Sequence, residues 1–184
     1  SQDELVSILA GRSVRFTFSA GNEGFQMGGT TTPRDLELQL QVLAAGITDP
    51  GYRSEGEEQY RRSVAQFFAS MDATPNQALN NKIGEILSDS DPRFSIQSEE
   101  TYASLSYAKL QEDIGDRLEN GAIELAIVGD FDEEAAINAV ARTLGALPSR
   151  ETDFQAREDA RQRNFTTDRN RRVITHTGEP DQAH

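Results

Sequence analysis

The chain has 184 residues and a formal net charge of −13, from 31 Asp and Glu against 18 Lys and Arg. That length suits one domain, or one domain and the start of another, and the acidic surplus repels phosphate backbones and anionic headgroups, so nucleic acid and membrane surfaces are disfavoured as partners. Cysteine is absent, which excludes disulfide frameworks, thiolate zinc sites, iron–sulfur clusters and cysteine nucleophiles.

Leu5, Ile8 and Leu9 share one helical stripe that stops at Gly11, so residues 3–10 are expected to be helical, with a start that is cut. Val14, Phe16 and Phe18 then alternate with polar residues, Gly21-Asn22 supplies turn chemistry, and Phe25 and Met27 open a second strand; a hairpin is expected. Thr32 is placed to cap a helix with Pro33 in its first position, and Leu36, Leu40, Leu43 and Ile47 give that helix one buried face. After Asp49-Pro50-Gly51 a second helix carries Tyr60, Val64, Phe67, Phe68 and Met71 on a stripe. A third, after Pro75, carries Leu79, Ile83, Ile86 and Leu87.

Tyr107, Leu110, Ile114 and Leu118 describe a fourth helix that ends near Asn120-Gly121. The apolar run Ile123 to Val128 reads as the best strand of the sequence, buried at the centre of a sheet. Asp132-Glu133-Glu134 then starts a helix bearing Ile137, Val140, Ala141 and Leu144, and Gly145 and Pro148 end it. From Arg150 to Arg172 the periodicity disappears, and a linker is expected over 151–172. Val173-Ile174-Thr175 reads as a further strand. This order of elements predicts an α+β fold of two layers, with helices on one face of a mostly antiparallel sheet.

Several groupings have the residue types of a site. Gly28-Gly29-Thr30-Thr31 lies between a strand and a helix, as phosphate-binding loops do, but it lacks the P-loop spacing and lysine; a structural turn is the stronger reading. Asp130 and Asp132 follow a strand, as in some magnesium sites, although Asp132 is also in position to cap the next helix. Asp89-Ser90-Asp91 resembles part of a calcium loop without its glycine or terminal glutamate. Histidine occurs only as His176 and His184, so neither an imidazole-based catalytic zinc site nor a Ser-His-Asp arrangement can be built within residues 1–175. His176 beside Glu179 and Asp181 is a lone imidazole, better read as a surface group. Arg169, Arg171 and Arg172 with Phe165 form too short a basic cluster for a nucleic-acid arm. No residue is assigned a catalytic, cofactor-binding or metal-binding role.

The segment Leu125-Ala126-Ile127-Val128-Gly129-Asp130-Phe131-Asp132-Glu133-Glu134 and its continuation Leu144-Gly145-Ala146-Leu147-Pro148 resemble the end of a domain of the M16 (insulinase or pitrilysin-like) zinc metallopeptidases. Leu9-Ala10-Gly11-Arg12, Gly28-Gly29-Thr30-Thr31 before Asp35-Leu36-Glu37, and Ile47-Thr48-Asp49-Pro50-Gly51-Tyr52 agree in the same order, over residues 1–150. Thr175-His176-Thr177-Gly178-Glu179-Pro180-Asp181 resembles the first strand of the following domain, so 173–184 is expected to belong to a neighbour. The resemblance implies a piece of a longer bacterial, periplasmic enzyme, about the third of four similar domains that close around unfolded peptides. In that family zinc is held by an inverted HxxEH motif and a distant glutamate of the first domain. No HxxEH occurs here, and Ser63-Val64-Ala65-Gln66-Phe67-Phe68 has no carboxylate where a third ligand is expected. The resemblance therefore implies a non-catalytic domain, with no cofactor in this segment and zinc elsewhere in the parent. Its expected partners are peptide substrate and the other domains of the same chain.

Overall fold

The computed structural model describes residues 7–21, 23–155 and 157–181. In chain order its elements are β1 (Thr17–Ala20), β2 (Phe25–Gly28), α1 (Leu36–Thr48), α2 (Ser54–Ser70), α3 (Pro75–Leu87), α4 (Glu99–Ala103), α5 (Tyr107–Asn120), α6 (Glu133–Arg142) and α7 (Glu158–Arg161). Tight 3-10 turns lie at Pro33–Asp35 and Leu144–Ala146. The fold is thus a mixture of helices with a small antiparallel sheet. It divides into two compact units, one of Ser1–Gly51 with Leu110–Arg161 and one of Tyr52–Lys109 with Gln162–His184. Both units draw on the stretch 1–150 that the sequence suggests as one domain.

In the first unit β1 and β2 pair with Thr17 opposite Gly28, Phe18 opposite Met27 and Ala20 opposite Phe25. This register sets Phe18, Ala20, Phe25 and Met27 on one face, with the Phe18 and Phe25 rings 5.5 Å apart. The turn closes through the Gly21 N–H on the Gly24 carbonyl at 2.8 Å; Asn22 lies outside the described residues. Of the expected N-terminal helix, only residues 7 and 8 are described as helical, and Gly11 follows with φ of 76°. Thr32 does precede the Pro33 turn, but through its backbone. Its carbonyl accepts the Asp35 N–H at 3.0 Å and its hydroxyl makes no cap bond.

Helix α1 packs on α6. Leu40, Leu43 and Ala139 are buried together, and Met27, Leu36, Val140 and Leu144 close around them. Ala139 is the small residue of this cluster, and Ala136 one turn before it is also buried. The Asp132 side chain accepts the Ala135 N–H at 2.7 Å and so caps α6. At the other end the Thr143 hydroxyl donates to the Ala139 carbonyl at 2.7 Å. The last turn of α5 is closed by Arg150, which donates to the carbonyls of Leu118 and Gly121, the latter at 2.9 Å. Glu151 adds its N–H on the Asn120 carbonyl and an ion pair with Arg117.

The second unit is held by aromatic contacts between helices. The Phe68 and Tyr102 rings lie 5.7 Å apart, and the Tyr60 hydroxyl donates to the Tyr102 carbonyl at 3.2 Å. Helix α3 is capped by Thr74 and α4 by Ser98, while the Glu57 carboxylate accepts the Tyr107 N–H at the start of α5. Phe67, Ile83 and Leu87 sit on predicted buried stripes yet remain exposed. The polar stretch read as a linker is tethered in its second half: the Thr166 N–H donates to the Leu87 carbonyl, and the Arg163 guanidinium lies 4.9 Å from the centre of the Phe94 ring.

Two strand expectations are corrected. Among the described residues neither Ile123 to Val128 nor Val173 to Thr175 belongs to a sheet, and the sheet has two strands only. Strand character is a property of two chains, and an apolar run without a neighbour to complete its ladder stays single however high its β propensity.

Candidate functional site

Among the described residues of the first unit, the buried polar ones are Asp35, Gln39 and Thr143, and the first two share one purpose. Asp35 is 1% exposed. Its carboxylate accepts the Ser13 N–H at 2.9 Å and the Arg12 guanidinium at 3.0 Å, with Arg34 at 3.4 Å. These donors, the Ser13 amide foremost and then Arg12 and Arg34, hold its carboxyl below the usual range against the opposing effect of burial. One turn on, the Gln39 side-chain amide accepts the Arg15 N–H at 3.0 Å and donates to the Arg15 carbonyl at 2.8 Å. Gln39 therefore presents to Arg15 the donor and acceptor that a neighbouring strand would present.

Gly29 is required by this arrangement. A Cβ there would lie 1.9 Å from the Arg15 carbonyl oxygen and 2.7 Å from Gln39 Nε2. Within the Gly28-Gly29-Thr30-Thr31 run, Gly29 thus makes room for Arg15 and Gln39. The sequence singles out the glycines but not Asp35 or Gln39. The only signal for Gln39 is its place on the apolar stripe between Leu36 and Leu43.

The other groupings are likewise engaged with their own surroundings. Asp132 is spent on its helix cap, and Asp130 is exposed beside Gly129. Asp89 and Ser90 have φ of 56° and 65°, while Asp91 pairs with Arg93 at 2.6 Å. The Arg93 side chain and backbone amide lower the Asp91 carboxyl to about 2. His176 Nδ1 accepts the Gly178 N–H at 3.2 Å, and Arg172 pairs with Asp168. Arg169 donates to the Thr166 carbonyl and Phe165 projects into solvent. His184 lies outside the described residues.

Among the described residues no three of His, Cys, Asp and Glu converge on a point where a metal ion would be held. Within Ser63 to Phe68 the side chains are apolar, hydroxyl or amide, a donor set that does not suit zinc. Every carboxyl here with a resolved shift, Glu23, Asp35, Glu37, Asp91, Asp116 and Asp168, is moved down, chiefly by an arginine or a backbone amide. The described residues also include no helix long and apolar enough to cross a membrane.

What stands out instead is the surface of Ile123 to Val128. Between bends at Gly121 and Gly129 the chain runs without turn or bend, and no hydrogen bond joins its backbone to any described residue. Ile123 and Leu125 are 41% and 37% exposed and Ile127 is half-buried, whereas Val128 on the alternate face is 97% exposed. Comparison with protein-family models, curated protein sequences and solved structures returns no match for this chain.

Proposed function

We infer that this chain is a non-catalytic domain of an M16-type zinc metallopeptidase, forming part of the wall of a chamber in which peptides are cleaved by a zinc site elsewhere in the parent protein. One observation carries the reading. Five sequence blocks occur in the order they have in that family, from Leu9-Ala10-Gly11-Arg12 to Leu144-Gly145-Ala146-Leu147-Pro148, in a chain without HxxEH. The family fold, helices over one face of a larger antiparallel sheet, belongs to this proposal, as do the bacterial origin and periplasmic location. The surplus of carboxylates would draw basic peptides toward such a wall.

In this reading no catalytic step is assigned to this segment, and among the described residues no group of His, Cys, Asp and Glu converges to hold zinc. Its role is to supply surface and packing to the other domains of the same chain. The test is direct. Metal analysis and a peptide-hydrolysis assay on the 184-residue chain should return neither stoichiometric zinc nor turnover, while its full-length gene should encode HxxEH upstream. Stoichiometric zinc, or robust hydrolysis by this chain alone, would overturn the reading. The open backbone of Ile123 to Val128 favours a second reading, a stand-alone protein-binding or assembly module, which a gene without HxxEH would support.

A further inference from the structure

We propose that Ile123 to Val128 accepts a polypeptide strand, and that its occupant is an extended chain of alternating apolar residues flanked by Arg or Lys. The inference goes beyond the peptidase reading and stands without it. Three observations carry it. First, the segment runs straight between bends at Gly121 and Gly129, with Ile127 half-buried and Leu125 37% exposed against 97% for Val128. Ile127 is half-buried before any partner arrives, so part of the ordering is already done. Second, its N–H and C=O groups make no hydrogen bond to a described residue, which is the condition for strand addition.

Third, charge selects the occupant. From Gly121 to Ala141 the chain carries Glu124, Asp130, Asp132, Glu133 and Glu134 and no Lys, Arg or His. A second copy paired through the same segment would set these carboxylates against their equals, whereas a strand with basic flanks would neutralise them. Apolar surface is left to cover in the segment itself, where Ile123, Leu125 and Val128 are 41%, 37% and 97% exposed.

The test uses the 184-residue chain and the fluorescent peptide Arg-Arg-Val-Thr-Val-Thr-Val-Arg-Arg at about 0.05 M salt, where charge attraction is little screened. Saturable binding is expected, with amide exchange of Ile123 to Val128 slowed about tenfold or more. A peptide with Glu flanks should bind at least about tenfold more weakly. Two further peptides, N-methylated on alternate amides of one edge or of the other, should differ from each other by about tenfold, because only one edge forms the ladder. Ala126→Pro should weaken binding about tenfold with the helical signal unchanged, and Glu124→Lys should weaken the Arg-flanked peptide and strengthen the Glu-flanked one. Equal binding of the two methylated peptides would reduce the effect to charge attraction and overturn the proposal. So would slow exchange of the segment in the dilute chain without peptide, slowing that depends on chain concentration alone, or an absence of binding.

Discussion

Arg15 and the segment Ile123 to Val128 both lie on straight, unturned backbone of the first unit, and they differ in how that backbone is satisfied. Arg15 continues into β1, and its N–H and carbonyl are met by the side-chain amide of Gln39. Ile123 to Val128 is more apolar and has no such counterpart. A buried side-chain amide can therefore end a sheet as well as another strand does, and hydrophobicity alone cannot. The closure rests on a chain of dependencies: Gly29 gives the space, Asp35 fixes Arg12 and Ser13, and Leu40 anchors the helix that carries Gln39.

The contrast can be broken from its foundation outward. Leu40→Ala should have the largest effect, lowering stability by about 2–5 kcal/mol in denaturant titration, because the side chain is fully buried between α1 and α6. Gly29→Ala should follow at about 1–3 kcal/mol, since the added methyl meets a backbone oxygen that cannot move aside. Gln39→Leu keeps the volume and removes the mimicry, so the Arg15 polar pair loses its partners at a cost of about 1–3 kcal/mol. Ala126→Pro in the open segment should change stability by less than about 0.5 kcal/mol, as no ladder bond is lost. If it were as costly as Gln39→Leu, the segment would not be open.

Acid sharpens the comparison at a different place. Asp91 has its carboxyl lowered to about 2 by Arg93, from an ordinary value of 3.8. A lowered folded-state value means that the unfolded chain takes up the proton first. The stabilising contribution is therefore complete above about 4 and is lost as the pH falls from there toward about 2. Urea midpoints measured between pH 5 and about 2.5 should fall for the wild-type chain and fall less for Asp91→Asn.

The helices were legible because their signals are local. Helix α5 runs from Tyr107 to Asn120, the span given by its apolar spacing and the Asn120-Gly121 stop, and α6 is capped by the Asp132 that the sequence marks. Helix α4 has five residues and no stripe, so Ser98 as a cap had nothing periodic to announce. The sheet was overestimated because Ile123 to Val128 has one sequence whether or not a neighbour is present. The Asp35 and Gln39 contacts join residues 22 to 24 positions apart, and no local pattern encodes which backbone a buried amide will meet. Of the candidate groupings, the Asp132 cap was legible because capping is local, whereas the close approach of Arg15 and Gln39 to Gly29 was not, because it joins distant residues.

The first unit is discontinuous, and that has a consequence for how the protein is made. Helix α1 is complete at Thr48, but the helix that covers Leu40 and Leu43 ends only at Arg142. At translation rates of roughly 5–20 residues per second, the nascent chain carries an uncovered apolar helix face for about 5–20 s while the whole second-unit insert is synthesised. During that interval the hairpin and α1 depend on the ribosome exit region and on chaperones for protection, so the yield of folded chain should be governed by synthesis rate before it is governed by final stability.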